Sequence, residues 1–214
     1  VLELDIAIIL VLITAIIGPM INIRYKSYLE SKKPKEDPIY CIIKSNMVVD
    51  EMLEKIQEDF KSDRVWLSQF HNGGHFFPTG KAITKFSVMF EHIKLGVESK
   101  MSTFTSIPVS LFNKPLMELY KNNQIIIPSF TSKNSPTFGL KTFAEGLKTK
   151  SSYIFALKTI EGDFIGTFGI DYVHKTKKLN EEQISELSDK AISLGTLIGT
   201  YLYDEKIKPK KNAR

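Results

Sequence analysis

Four histidines and a single cysteine set the first limits on what this chain can do chemically. His71, His75 and His92 fall in one stretch and Glu91 adds an oxygen, a set of donors that suits zinc or another divalent ion. Their spacing argues against a shared site. Adjacent residues on a strand point to opposite faces, so only one of Glu91 and His92 could join. His71 and His75 flank a turn rather than sharing a helix face. The plainer readings are that His71 bonds the turn backbone and His75 is solvated, or that these groups make polar contacts to a small ligand. No metal site is expected. Nucleophilic chemistry finds no support either: there is no G-x-S-x-G, and Cys41 has no neighbouring histidine to activate it. Cys41 reads as an inert buried thiol. Glu91, Asp163 and Asp171 are separate strand and turn acids rather than a converging pair. The Asn72-Gly73-Gly74-His75 loop lacks both the lysine and the glycine spacing of a phosphate cradle. The chain is therefore expected to be no enzyme and to have no catalytic residues, and its cofactor, if it has one, is left open.

The elements that must position these residues read as follows. Residues 38–60 form a helix, with Ile39, Ile42, Met47, Leu53, Ile56 and Phe60 on an imperfect stripe. Strand one, 64–71, ends in the turn-forming run Asn72-Gly73-Gly74, and Pro78 with Gly80 shapes a second turn. Strand two is 83–93. Residues 95–105 show no period. A helix over 111–122, a short strand over 124–128 and a small polar loop over 129–136 follow. In 151–160, Tyr153, Phe155 and Leu157 alternate with Ile154, Ala156 and Lys158. Glu161-Gly162-Asp163 makes a hairpin turn. The returning strand, 164–173, puts Phe164, Gly166, Phe168 and Ile170 on one face. Asn180 and Gln183 form a capping box for a long last helix, striped by Ile184, Leu187, Ala191, Leu194, Ile198 and Leu202.

The N-terminal end has a different composition. Residues 6–23 carry no charge, close to the ~20 apolar residues that a membrane span requires. Glu3 and Asp5 precede them, whereas Arg24, Lys26, Lys32, Lys33 and Lys35 follow, which orients the rest of the chain towards the cytoplasm. A cleaved signal peptide would need a basic start and a small-residue cleavage site, and both are missing. A buried core helix is the competing reading. The division expected is an anchor with its basic flank (1–30), a proline-bracketed linker (31–37), one globular domain (38–205) and a basic tail (206–214). The net charge of +5 and the pI of about 9.1 fit a lysine-rich solvated surface or an anionic membrane surface. Nucleic acid is not expected, because no basic run interleaves with aromatics in a known module. One cysteine excludes an intrachain disulfide and fits a reducing compartment.

The segment GLKTKSSYIFAL, the strand GDFIGTFGIDY and the Asn180-capped helix together resemble the C-terminal half of a GAF domain. The resemblance covers about residues 38–203. It implies an α/β (α+β) fold, a central antiparallel sheet flanked by helices, here preceded by a transmembrane helix. It also implies a pocket between one sheet face and its covering loops. The ligand-binding residues expected are Gln69, His71, Asn72, His75, Phe77, Lys85, Ser87, Phe130, Thr131 and Ser152, among abundant aromatics. The N-K-F-D-E signature of cyclic-nucleotide-binding GAF domains is missing, Cys41 is misplaced for bilin attachment, and one cysteine cannot run a methionine sulfoxide reductase. The function expected is a membrane-anchored, non-catalytic sensory or regulatory module. It would bind a small ligand or a protein partner, and its first and last helices would either pair two copies as a homodimer or simply cover the sheet of one subunit. The alternative is a scaffold, of viral type on composition, that uses the fold for self-association without a ligand.

Overall fold

The computed structural model describes residues 15, 18–32, 38–76, 78–132 and 136–203. Phe77, the linker residues 33–37 and the tail 206–214 lie outside the described residues, as does most of 6–17. The chain divides into two compact units, residues 1–40 and 41–214. The first contains helix α1 (Gly18–Lys32), in which Met20, Ile21 and Ile23 are all exposed. Among the described residues no helix is long and apolar enough to cross a membrane. Helix α2 (Pro38–Phe60) runs across the division, with all but its first three residues in the second unit.

The second unit is built on six strands: β1 (Arg64–His75), β2 (Ala82–Ile93), β3 (Ile107–Pro108), β4 (Gln124–Ile127), β5 (Ser151–Lys158) and β6 (Phe164–Tyr172). Their order across the sheet is β3-β2-β1-β6-β5-β4, and every neighbouring pair is antiparallel. Between β3 and β4 come a 3₁₀ turn, Val109–Phe112, and helix α3 (Asn113–Asn122). Helix α4 (Lys141–Gly146) leads into β5, and helix α5 (Glu181–Tyr203) closes the chain.

The sheet is covered on both faces, and the alternation in β5 shows why its register is fixed. Tyr153, Phe155 and Leu157 pack under α2 and α5 with Leu53, Ile56, Leu187 and Leu194. Ile154 and Ala156 point the other way, into a second cluster with Trp66, Phe86, Phe112 and Phe130. Each large apolar side chain buried this way contributes ~1.5–3 kcal/mol, so a one-residue slip would misplace the whole set. Gly195 and Gly199 bring α5 close to the end of β5: a Cβ at Gly195 would overlap the Lys158 carbonyl oxygen. The helix starts as its sequence implies, with Asn180 Oδ1 accepting from the Gln183 amide (2.8 Å) and Gln183 Oε1 from the Asn180 amide (3.2 Å).

Two local expectations change. Asn72-Gly73-Gly74 does not end β1. The strand runs on to His75, and the pairing with β2 is irregular between Asn72 and His75. Gly74 takes φ +100° and its amide donates to Asn72 Oδ1. Asn and Gly suit a bulge as well as a hairpin turn, and here they form the bulge. The reversal lies at Phe76–Lys81, closed by the Phe76 amide on the Lys81 carbonyl at 2.8 Å. Phe164 also departs from its expected face. The β5–β6 register shifts between Leu157 and Lys158, so Lys158 faces Phe164 while Leu157 faces Gly166. The extra residue turns Phe164 to the opposite face, edge-on to Phe70 at 5.0 Å between ring centroids.

Candidate functional site

The floor of the site is set by β1 and β6. Trp66, Ser68 and Phe70 alternate along β1 on the face away from α2 and α5, and Thr167 and Gly169 lie opposite on β6. Trp66 pairs with Gly169, Ser68 with Thr167. The indole needs that glycine, because a Cβ at Gly169 would lie 2.5 Å from Trp66 Cζ2. Phe86 and Val88 of β2 extend the floor. The roof is built from α3 (Leu116, Leu119), α4 (Phe143, Ala144) and the β4–β5 connection (Phe130, Leu140). Phe130 is held over the cavity by its amide, which donates to the Lys150 carbonyl at 2.9 Å. Between floor and roof lies a predominantly apolar cavity of about 80 Å3.

One end of the cavity is charged. Arg64 is fully buried; its Nη1 lies 2.8 Å from Asp171 Oδ2, and its Nη2 and Nε both donate to the Glu98 carbonyl. Lys100, from the 94–106 connection, reaches the same Asp171 Oδ2 at 2.9 Å. Its ammonium also lies 3.9 Å from the Trp66 ring centroid, a cation–π contact. Asp171 Oδ1 accepts from Ser152 Oγ at 2.7 Å. Glu91 stands 3.6 Å from Arg64 Nε and fixes the loop by accepting from the Lys100 amide at 2.6 Å. The Lys100 side chain is only 11 % exposed.

These surroundings shift both titrating partners. Burial pushes the Asp171 carboxyl up, but Lys100 and Arg64 outweigh it and hold it below the ordinary range. Burial lowers Lys100; the Asp171 charge opposes this and Arg64 adds to it, and the net direction is down. Two cations face two carboxylates, so the cluster as a whole is neutral.

The expected site residues divide between the two sheet faces. Phe130 and Ser152 line the cavity. Gln69 lines a smaller crevice on the opposite face, beside Ser45, Asn46 and Val49 of α2. His71 Nε2 and Ser87 Oγ are hydrogen-bonded at 2.9 Å, and the Ser106 amide donates to the same hydroxyl at 2.8 Å. The Lys85 stem lies over Gly73. Asn72 accepts from the Gly74 amide within the bulge, and His75 and Thr131 are exposed. Among the described residues no three His, Cys, Asp or Glu side chains come together as metal ligands.

Sequence reasoning did not single out Trp66, Lys100, Arg64 or Asp171 as partners. Trp66 carried a usable signal: it is the chain's one tryptophan and alternates in phase with Phe70. Lys100 carried none, since its loop has no period.

No protein-family model matches the sequence, and no curated protein matches it. Solved structures do. The blue-light absorbing form of the Thermosynechococcus elongatus PixJ GAF domain superposes with a TM-score of 0.57 at 15% identity, covering 75% of this chain and 88% of that one. The chain has a GAF-type fold. A far-red cyanobacteriochrome photoreceptor gives 0.57 at 10% identity, covering 86% of this chain and 98% of the other. The phycocyanobilin-bound GAF domain of a cyanobacterial phytochrome gives 0.55 at 12%, with coverages of 75% and 88%. At such identities the likeness establishes the GAF fold alone. A bilin does not fit here. The chain's one cysteine, Cys41, belongs to α2, whose Val49, Leu53 and Ile56 pack on the other face of the sheet. The cavity is also far smaller than the ~300–1,000 Å3 of sites for drug-sized ligands.

Proposed function

We propose that this GAF-like domain is a non-catalytic sensory module that binds a small molecule in the cavity between the sheet and α3–α4. The observation that carries this reading is the cavity itself: an apolar, aromatic chamber of about 80 Å3 with a buried lysine at one end. Close-packed interiors leave few voids larger than a water, and chambers with a few convergent polar groups are the usual form of a ligand site. Binding would act through the sheet, whose other face carries α2 and α5, by favouring one arrangement of those helices. Membrane attachment through residues 6–23 is part of the proposal. It is supported by the uncharged sequence, by the basic residues after it, and by exposed Ile21 and Ile23 in α1. Native mass spectrometry of the full chain, after incubation with a small-molecule extract, tests the binding. The wild type should retain a compound that Ala144→Leu, which fills the cavity, does not. Equal retention by both, or none by either, rejects the reading.

A second reading has its own observation. Ile43, Met47 and Val48 of α2 are exposed, as is Ile192 of α5. Apolar side chains on these helices favour self-association of the domain, with or without a ligand. The oligomeric state of the full chain in a membrane mimetic, compared between wild type and Met47→Asp, tests it.

A further inference from the structure

The polar groups around the cavity narrow what it can hold, provided the proposed cavity binds a ligand. Among the described residues, Ser68, Lys100, Thr149, Ser152 and Thr167 are the polar side chains that line it beside Trp66. Each is engaged within the protein. Ser68 Oγ and Thr167 Oγ1 hydrogen-bond to one another at 2.7 Å. Ser152 Oγ gives its proton to Asp171 Oδ1 at 2.7 Å, and Thr149 Oγ1 accepts from Arg64 Nη1 at 3.2 Å. Lys100 Nζ is held between Asp171 Oδ2, at 2.9 Å, and the face of the Trp66 ring. Trp66 Nε1 is a buried donor without a hydrogen-bond partner, but that edge of the indole lies against Gly169, where a Cβ would come within 3.1 Å of it. A carbonyl or hydroxyl brought into this chamber leaves its water partners and meets groups already spent on one another, the uncompensated burial that polar groups resist.

Charge is disfavoured further. Arg64 and Lys100 are already matched by Asp171 and Glu91, so an added ion enters a buried, neutral site without a counter-charge. An apolar molecule loses nothing there. The remaining walls are hydrocarbon and aromatic: the Phe112 ring stands edge-on to Phe86 at 5.3 Å and lies 4.7 Å from Phe143 between centroids. Apolar cavities stay dry, so an occupant displaces little water and gains dispersion contacts with the surrounding walls. Size sets the upper limit. At ~15 Å3 of such space per water, about 80 Å3 is room for about five waters, ~150 Å3 of liquid, and so for at most about five heavy atoms. We propose that the cavity takes a small, uncharged molecule without hydrogen-bonding groups, a hydrocarbon-like compound of this size, and turns away its oxygen-bearing isosteres.

The chain's single tryptophan lines the cavity, so ¹H–¹⁵N spectra of the full chain follow occupancy through one indole cross-peak. The probes are propane, dimethyl ether and ethanol, which share one size and differ by an oxygen atom and its place; the first two are titrated under gas pressure. Propane should bind at least about tenfold more tightly than either oxygen-bearing probe. Ala144→Leu should abolish the propane response, and Leu116→Phe, which fills the cavity from α3, serves if the first variant fails to fold. Ether or ethanol binding as tightly as propane, and lost in the filled variants, would overturn the apolar class yet leave the cavity reading standing. A propane response that survives in the filled variants would place the binding elsewhere and overturn the proposal. No binding of any probe would remove the cavity reading and the ligand class together.

Discussion

Lys100 Nζ and Asp171 Oδ2 stand 2.9 Å apart, and this contact ties the long β2–β3 connection to the strand at the centre of the sheet. Asp171 is the shared partner of two cations, so its loss should weigh more than the loss of either. Asp171→Asn leaves two buried cations, Arg64 and Lys100, facing the single carboxylate of Glu91. It should destabilise the domain by ~3–5 kcal/mol in chemical denaturation. Lys100→Met should cost less, ~1–2 kcal/mol, because Arg64 still compensates the carboxylate. Equal losses would mean that the two cations are not acting on one acid.

The pH dependence of stability has a definite sign. Asp63 accepts from the amides of Val173 (2.8 Å) and His174 (3.0 Å). Burial raises its pKa, but these amides and Lys94 bring the net shift below the ordinary 3.8, as Lys100 and Arg64 do for Asp171. Folded-state values below the unfolded one mean that the unfolded chain binds protons first. The contribution is complete above about pH 3.8 and is lost as pH falls through the folded values. Asp63→Asn should therefore flatten the acid limb of a denaturation profile; an unchanged limb would contradict the assignment.

At the alkaline end the tyrosines act with the opposite sign. Burial raises both Tyr153 and Tyr172 above the ordinary 10.0. Tyr172 Oη donates to the Phe60 carbonyl at 2.9 Å. Their contribution is full below pH 10 and declines as pH rises through the folded values. Tyr172→Phe should lose ~1 kcal/mol at neutral pH and show a shallower alkaline fall, followed by tyrosinate absorbance.

Glycine in an exposed helix normally yields ~1 kcal/mol of stability when changed to alanine. Gly195→Ala should do the reverse, because the new Cβ would press on the Lys158 carbonyl and lift α5 from β5. A loss of ~1–3 kcal/mol is expected in thermal or chemical unfolding. A stabilised variant would show that the helix stands farther from the strand.

Much of this fold was legible because several signals agreed at the same residues. In β5 and from Gly166 onward in β6, alternation agrees with the Gly162 turn and the Asn180–Gln183 box, and the structure has that arrangement. Asn72-Gly73-Gly74 was ambiguous, since the φ freedom of a turn and of a bulge is the same freedom; only pairing with β2 decides between them. Phe164 was misplaced by a single extra residue in β6, which no pattern in one strand can reveal. The cavity's charged end was hidden for a different reason. Arg64, Glu91, Lys100 and Asp171 come from four separate segments and meet only when the sheet closes.

The most direct test of the central claim is Trp66 emission during titration of the full chain with xenon, a heavy-atom quencher, run beside Ala144→Leu. Trp66 and Ala144 both line the cavity, and no other tryptophan contributes. The account expects saturable quenching in the wild type and only the linear, collisional response in the filled variant. Identical curves for the two proteins would contradict a ligand site in this cavity.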